Sequence, residues 1–371
     1  MKILHVAPEN YPVPATRGGA VETLIEGIVK QSSKNKCYSV SIRGNKQADN
    51  GFIQVQINAL FNRTLTPARL FWNTSLYSYA YQKEVWKKIS QLKPDVVHIH
   101  NRPQFSVYIA KKFPEIKIII HLHNEYLSEK SSRPFTKKLI DKINKTNSIV
   151  ISVSSYINNS ISEYCTLRRH IVLNGIEEAK NELHQHEEMK DQRSVILYAG
   201  RIVREKGVED LIELARHLND DKYLIKIAGS TGFIGDKTAD YERKINAEAA
   251  KFRNIKMLGF VNREILAGHQ NNAKYIVVPS RWNEPCALSV IEGMHSDALV
   301  IATDSGGNRE LILDDNCIYQ INNFEQLLSK IKWFDSNPIE YEIAKQRQKS
   351  NAKKRLTLST MIKNLESVYA L

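Results

Sequence analysis

The stretch Val195-Ile196-Leu197-Tyr198-Ala199-Gly200-Arg201-Ile202-Val203-Arg204-Glu205-Lys206-Gly207 combines an apolar run, a glycine turn and two cations five positions apart. The apolar run predicts a buried strand that ends at the glycine. Apolar residues then recur at helical spacing, so Arg201 and Lys206 are predicted on the loop that enters a helix. The helical positions are Val208, Leu211, Ile212, Ala215 and Leu218.

The two cations of this loop suit a diphosphate ligand. An arginine presents a planar fork to phosphate oxygens, and a lysine presents a compact point charge. The N-terminus of the following helix would add partial positive charge. Two solvated cations on a strand-to-helix loop are the plainer alternative, and the pair alone does not decide between them.

Two glutamates frame a second segment, Glu284-Pro285-Cys286-Ala287-Leu288-Ser289-Val290-Ile291-Glu292. It follows the strand-like run Tyr275 to Val278, and α/β folds bind ligands at the carboxyl ends of their strands. Because proline fits the first turn of a helix, we expect Glu284 just outside the N-terminus and Glu292 roughly 12 Å further along the axis. The two carboxylates could hold both ends of one extended ligand, although solvated helix glutamates are the plainer interpretation.

Strand-like apolar runs alternate with helical patterns along the whole chain, which favours doubly wound α/β layers. A helical stripe begins directly after Gly18-Gly19, so the first helix is predicted to start at a glycine turn. The further strands are predicted at 3–7, 96–99, 116–120, 149–153, 196–198, 224–228 and 299–302.

Length and composition agree with a protein of about two domains. The chain has 371 residues, of which 42% are hydrophobic, enough for a core in each domain. Its four cysteines are widely scattered without metal-ligand spacing, which favours a reduced, cytoplasmic protein. Apolar runs stay well short of the ~20 residues of a membrane span, so we expect neither an integral membrane protein nor one with an ordinary secretion signal.

Positive charge is concentrated in the first half of the sequence. Residues 1–185 carry 26 Lys and Arg against 14 Asp and Glu, whereas residues 186–371 carry 27 against 26. The run from Lys137 to Lys145 is the strongest candidate for a basic patch. Such a surface suits an anionic partner or an anionic membrane face, and a solvated helix face is the alternative. Nucleic acid is disfavoured because no recognisable binding module accompanies the charge.

Six motifs follow one another along the chain: Arg17-Gly18-Gly19-Ala20, Asp95 to Asn101, Leu173-Asn174-Gly175-Ile176, Gly200-Arg201 to Lys206-Gly207, the glutamate pair, and Ile301 to Glu310. Taken together, they resemble glycosyltransferase family 4, the retaining nucleotide-sugar transferases of GT-B fold. Within this family, 13–20 and 100–103 look most similar to the spore-coat and cell-wall-associated branch.

The resemblance implies two Rossmann-like domains that face a central cleft. The first, residues 1–180, would bind the acceptor, and the second, residues 190–355, the nucleotide sugar. The polar, aperiodic stretch from Glu177 to Arg193 would link them. The last helix, within about 356–371, would cross back onto the first domain.

For the second domain the resemblance also implies residue roles. Glu292 would hold the ribose diol of the donor, and Glu284 the hydroxyls of the donor sugar. The backbone amides of Cys286, Ala287 and Leu288 would assist. Arg201 and Lys206 would stabilise the charge that develops on the departing phosphate.

In the first domain, Gly18 and Gly19 would approach the same phosphates through their backbone. His123 matches the family's histidine that contacts the sugar near the reaction centre, and His100 is its competitor. Family members are thought to retain configuration by front-face attack without a covalent nucleophile. The implied catalytic set is Glu284, His123, Arg201 and Lys206.

The donor is expected to be a UDP-sugar and the acceptor a glycan, a lipid-linked molecule or a cell-envelope polysaccharide, reached at the inner face of the membrane. No Asp-x-Asp motif occurs in the sequence, so we expect catalysis without a metal or other cofactor. Cys286-Ala287 stands where relatives usually have Phe-Gly, which leaves the sugar pocket less defined. Alternatives are a sugar phosphorylase, a nucleotide-sugar epimerase or a non-enzymatic coat protein of the same fold.

Overall fold

A computed structural model describes residues 1–15, 19–44, 51–57, 76–125, 134–177, 192–231 and 236–371. The chain divides into two compact units. The first contains Met1–Glu177 together with Leu358–Leu371, and the second contains Glu178–Thr357. Residues 178–191, which make up most of the predicted linker, lie outside the described part of the chain.

The described residues of the first unit contain a seven-stranded parallel sheet with the strand order β3-β2-β1-β4-β5-β6-β7. Its strands are β1 (Lys2–Val6), β2 (Lys36–Ile42), β3 (Phe52–Val55), β4 (Val96–His100), β5 (Lys117–Leu122), β6 (Ser148–Ser152) and β7 (Arg168–Ile171). The helices between them are α1 (Ala20–Gln31), α2 (Leu76–Leu92), α3 (Gln104–Lys112), α4 (Pro134–Asn144) and α5 (Ser155–Ser160).

The described residues of the second unit contain a six-stranded parallel sheet with the order β10-β9-β8-β11-β12-β13. Its strands are β8 (Ser194–Ala199), β9 (Tyr223–Ala228), β10 (Ile255–Gly259), β11 (Tyr275–Val278), β12 (Leu299–Thr303) and β13 (Ile318–Tyr319). Its helices are α6 (Glu209–His217), α7 (Asp236–Ala249), α8 (Arg263–Asn271), α9 (Leu288–His295), α10 (Asn308–Leu311), α11 (Phe324–Ser336) and α12 (Pro338–Arg355).

Both sheets confirm the predicted doubly wound α/β class. Every residue of β4, β9, β11 and β12 is buried, as expected for parallel strands that helices cover on both faces. In each sheet the strand order reverses once, between β1 and β4 in the first unit and between β8 and β11 in the second. Ligands of such sheets bind at the carboxyl ends of the strands beside this switch point.

The last helix, α13 (Leu358–Tyr369), belongs to the first unit. Its buried residues recur at helical spacing, and it packs against α1, where Gly27 leaves room for the side chain of Leu358. At its end the Tyr369 hydroxyl lies 2.6 Å from Nδ1 of His98 in the sheet. The helix therefore contributes both apolar area and a polar contact to the core of this unit.

The expected start of the helix after Glu284 is wrong. α9 begins at Leu288, and its N-cap Ala287 has extended backbone, so Pro285 precedes the helix rather than entering its first turn. The Gly307 N–H donates to the Glu284 carbonyl at 2.6 Å, which holds the chain away from a helical path. Glu284 consequently sits four residues before the first helical residue.

A side-chain amide completes one strand of the second sheet. Strand β13 pairs with β12 only at Ala302 and Thr303, which leaves the outward backbone groups of Val300 without a strand partner. Gln348 of α12 supplies one, because its Oε1 accepts from the Val300 N–H at 3.0 Å and its Nε2 donates to the Val300 carbonyl at 2.9 Å. Gln348 itself is buried.

Among the described helices, none is both long enough and apolar enough to cross a membrane.

Replacing Gln348 with leucine should destabilise the second unit by about 2–4 kcal/mol, because it leaves a buried N–H and a buried carbonyl unpaired. The change is measured as the free energy of unfolding in urea. Lys349→Ala is the matched control, since it removes only a surface ion pair with Asp297 and should cost less than about 1 kcal/mol. Equal effects of the two substitutions would contradict this account of Gln348.

Candidate functional site

The loops that follow β8 and β11 lie side by side at the carboxyl edge of the second sheet. The Arg281 N–H donates to the Glu205 carbonyl at 2.8 Å, which joins the two loops. Gly207 permits this approach, because it has a left-handed φ of 64° and a Cβ there would collide with the Pro279 carbonyl oxygen. The glycine and its loop thus bring Lys206 next to the glutamate segment.

At the centre of this edge Lys206 and Glu284 form an ion pair. Lys206 Nζ lies 2.5 Å from Glu284 Oε1, which also accepts a hydrogen bond from Ser280 Oγ. Glu284 is only 4% exposed, so its charge needs this compensation. Thr303 Oγ1 donates to the Ser280 carbonyl at 2.7 Å and holds the loop in place. Lys206 and Glu284, which are 78 positions apart in sequence, are therefore in direct contact.

The loop after β12 supports Glu284 from a third side. Gly306 has a left-handed φ of 54°, and a Cβ there would collide with the Glu284 carbonyl oxygen. This approach lets Gly307 make its backbone hydrogen bond to that carbonyl. Glu284 is thus positioned by the ends of three neighbouring strands, β8, β11 and β12.

The other predicted donor-site residues of the second unit lie on the same two loops and on α9, outside this ion pair. Arg201 is exposed on the loop after β8, and its guanidinium forms no ion pair with a described residue. Cys286 and Ala287 are buried, and Leu288 is the first residue of α9. Glu292 is half-buried on that helix, and burial raises the pKa of its carboxyl while Arg263 opposes the rise.

The glycine turn of the first unit is described in part. Gly19 is the N-cap of α1, with a φ of 110°, as predicted for a helix that starts at a glycine. Gly18 and Arg17 lie outside the described residues. The predicted backbone contacts of Gly18 with phosphate therefore stay a prediction.

The buried carboxyl of Glu22 lies beside this turn and was not identified from the sequence. Glu22 lies in the first turn of α1, and its Oε2 lies beside Gly19, in the space that a Cβ there would occupy. Burial raises its pKa to about 7, although its own backbone N–H and the charge of Arg102 oppose the rise. The Gly-x-x-Glu spacing, which resembles a capping box, was the available signal.

His123 belongs to a cluster of five buried histidines in the first unit. His5 pairs in register with His98, and His100 pairs with His121, so the side chains of three neighbouring strands share one face. His123 follows β5 by one residue on the same face as His121 and is 6% exposed, while the other four are fully buried. The sequence alone singled out His123 and His100 and missed the cluster.

Ring-to-ring hydrogen bonds hold the cluster together. His5 Nδ1 lies 3.1 Å from His100 Nε2, His100 Nδ1 lies 3.0 Å from His123 Nε2, and His98 Nε2 lies 3.1 Å from His121 Nδ1. Burial lowers the pKa of all five rings, to about 3 for His5 and His123. The cluster is therefore a set of neutral imidazoles at neutral pH.

Comparison with protein-family models covers most of the chain. A model of the glycosyl transferases group 1 matches residues 179–355, and a model of glycosyltransferase family 4 matches residues 42–180. The two matched regions fall on the second and the first unit respectively, with a boundary close to that of the structural division.

Individual relatives match over the full length. YtcC of Bacillus subtilis, named as a glycosyltransferase, is 25% identical over 100% of this chain and 92% of its own length. Spore coat protein SA of the same organism is 24% identical over 100% of this chain and 99% of its own. HepE of Anabaena, solved with UDP-glucose, superposes with a TM-score of 0.76 at 17% identity, covering 100% of both chains.

The histidine cluster should make the first unit acid-labile. Its rings are neutral in the folded chain but titrate near pH 6.5 when unfolded, so the unfolded state binds more protons below that pH. Stability should be full above about pH 7 and fall as the pH drops. At pH 5.5 keeping the five rings neutral should lower the free energy of unfolding by on the order of several kcal/mol, a large part of the stability of a domain.

Amide hydrogen exchange of the full chain at pH 7.5 and 5.5, corrected for the intrinsic exchange rate, resolves the two units. Loss of protection should be confined to peptides of the first unit. His98→Gln should reduce the number of protons taken up on unfolding at acid pH by about one. Replacement of the exposed His217 with glutamine should leave that number unchanged. Equal acid sensitivity of both units would count against the buried histidines as its cause.

Proposed function

We propose that this chain, whose two units match glycosyltransferase family models, moves a sugar from a UDP-sugar to a glycan, lipid-linked or cell-envelope acceptor with retention of configuration. The observation that carries the proposal is the Lys206–Glu284 pair, held at the carboxyl edge of the second sheet with Arg201 on the same loop. The similarity to HepE, which was solved with UDP-glucose, supports a uridine nucleotide.

The cations of this edge fit the charge changes of glycosyl transfer. As the bond to the diphosphate breaks, negative charge grows on the leaving oxygen, and fixed positive groups stabilise that transition state. Arg201 is exposed and can present its guanidinium to phosphate. Lys206 uses one of its three N–H donors on Glu284, so two remain for the ligand. Neither side chain needs another residue to activate it for contact with phosphate.

The two glutamates are proposed to hold different parts of the donor. Glu284 has one carboxylate oxygen committed to Lys206 and Ser280, and its Oε2 is left for a sugar hydroxyl. Glu292 lies on α9, beyond the backbone amides of Cys286 to Leu288, and is proposed to accept from the ribose diol. In the first unit, His123 is assigned the contact with the transferred sugar.

The acceptor is proposed to be anionic or to lie at an anionic membrane surface. The excess positive charge falls in the first half of the chain, and helix α4 shows how it is displayed. Ile140 and Ile143 are buried, whereas Lys137, Lys138 and Lys142 are exposed. Lys137 and Lys138 can therefore reach a partner while the apolar side chains anchor the helix.

Transfer should persist in excess chelator, because Arg201 and Lys206 are proposed to carry the role that a metal has in Asp-x-Asp enzymes. The expected result is equal turnover of UDP-sugar with and without EDTA, measured as UDP release in the presence of acceptor and, as hydrolysis, in its absence. Activity that disappears with EDTA and returns with Mg²⁺ or Mn²⁺ would refute the metal-independent form of the proposal.

The kinetic effects of the two glutamates should differ. Glu292→Gln should mainly raise the donor KM, since ribose contacts change little as the glycosidic bond breaks. Glu284→Gln should mainly lower kcat, by about 10² or more, since it frees Lys206 and loosens the sugar at the reacting centre.

The matched control for these two variants is Glu205→Gln, an exposed carboxylate on the same loop as Lys206. It should leave both constants within about twofold. Initial rates across donor concentrations, on protein checked for folding, decide the outcome. Reversed effects on kcat and KM would show that the assigned roles are wrong, and full activity of both variants would make the pair purely structural.

A further inference from the structure

Three histidines of the first unit form one continuous hydrogen-bonded chain. His100 stands in the middle, with Nε2 3.1 Å from His5 Nδ1 and Nδ1 3.0 Å from His123 Nε2. At the two ends, His5 Nε2 and His123 Nδ1 are buried and receive no hydrogen bond from the described residues. The chain runs from the core of the sheet to the residue assigned to the sugar.

In such a chain, the tautomers of neighbouring neutral imidazoles depend on one another. Each ring carries one N–H donor and one acceptor nitrogen, and each ring-to-ring bond needs one of each. If His100 is protonated at Nε2, it donates to His5 and must accept from Nε2–H of His123. If it is protonated at Nδ1, it donates to His123 and must accept from Nδ1–H of His5. In either case all three rings carry the same tautomer.

The other two histidines form a separate chain. Tyr369 O–H lies 2.6 Å from His98 Nδ1, and His98 Nε2 lies 3.1 Å from His121 Nδ1. A tyrosine hydroxyl that donates to His98 makes His98 and His121 both Nε2–H tautomers. No hydrogen bond joins this chain to the first one, although the His98 and His100 rings stack at 4.3 Å. His98 and His121 can therefore serve as an internal control for His5, His100 and His123.

We propose that His100 and His5 are positioning residues that fix the tautomer of His123, the residue assigned to the transferred sugar, and with it whether its Nδ1 carries a proton or a lone pair. Because ring protonation is set by the hydrogen bond at the opposite nitrogen, a histidine that never touches substrate can control this property. The proposal rests on the proposed function for its consequence, but the shared tautomer is a property of the protein alone.

The same rings include two triplets spaced closely enough for a metal ion: His5, His98 and His100, and His100, His121 and His123. Two observations favour hydrogen bonding. Ring nitrogens at 3.0–3.1 Å share a proton at ordinary hydrogen-bond distance. Each triplet also consists of neutral imidazoles without a carboxylate, so a buried dication would be uncompensated. Metal binding is kept as an outcome of the test.

The decisive experiment is NMR of the full chain labelled with ¹⁵N at histidine, with assignments from single His→Gln variants. The ¹⁵N shifts of the two ring nitrogens distinguish the tautomers. We expect His5, His100 and His123 to carry the same tautomer at pH 7.5, with no change on addition of equimolar Zn²⁺. Different tautomers, a protonated ring in the chain, or Zn²⁺-induced metal-bound shifts at these rings would each overturn the proposal.

His100→Gln and the equally buried His98→Gln form the matched pair. His100→Gln should give His123 a mixture of tautomers and lower kcat about tenfold or more at unchanged donor KM. His98→Gln should leave the tautomer of His123 and the kinetics as in the unsubstituted chain. Identical behaviour of the two variants would overturn the positioning role, and if His100→Gln does not fold, the spectrum of the unsubstituted chain decides.

The proposed function and the shared tautomer can each fail without the other. Absence of transfer from any nucleotide sugar, together with a shared tautomer, would reject the proposed function and leave the histidine chain standing. Full transfer activity with mixed tautomers would do the opposite.

Discussion

A carboxylate removed from water must find a cation, and this constraint organises the second unit. Glu284 is buried at the end of β11, and the cation that compensates it, Lys206, comes from the loop after β8. For the two to meet, these loops must touch, which requires Gly207 without a side chain, and the third loop must approach closely enough to require Gly306. The ion pair and the glycines of this edge therefore depend on one another.

The first unit buries its titratable side chains in a different way. At the carboxyl edge of its sheet it places five titratable rings, but it keeps them neutral and satisfies most of their polar atoms with one another. Neutral rings cost little to bury when they are hydrogen-bonded, whereas a lone charge would not be tolerated. One unit thus presents fixed charge at its ligand edge, and the other presents hydrogen-bonding groups whose protonation is settled internally.

Local patterns predicted eight of the thirteen described strands, because strand periodicity depends on neighbouring residues, and did not identify β2, β3, β7, β10 and β13. The run 275–278 is β11, and the last helix, 358–369, is α13. The start of α9 was wrong, since a hydrogen bond from Gly307 overrides the helical preference of Pro285. The residues of the candidate site were predicted, but the contacts between them were not. The Lys206–Glu284 pair and the histidine register depend on which strands are neighbours, and neither is encoded in local spacing.

Glu22 gives the first turn of α1 a thermodynamic property of its own. A carboxyl whose pKa is about 7 exists at neutral pH as comparable amounts of the charged and uncharged forms. An anion that settles at this helix N-terminus would disfavour the charged form and draw a proton from solution. Binding there would then carry the ionisation heat of the buffer, and its affinity would weaken as the solution becomes alkaline. An anion and a proton would therefore bind cooperatively at this turn, because each lowers the cost of placing the other there.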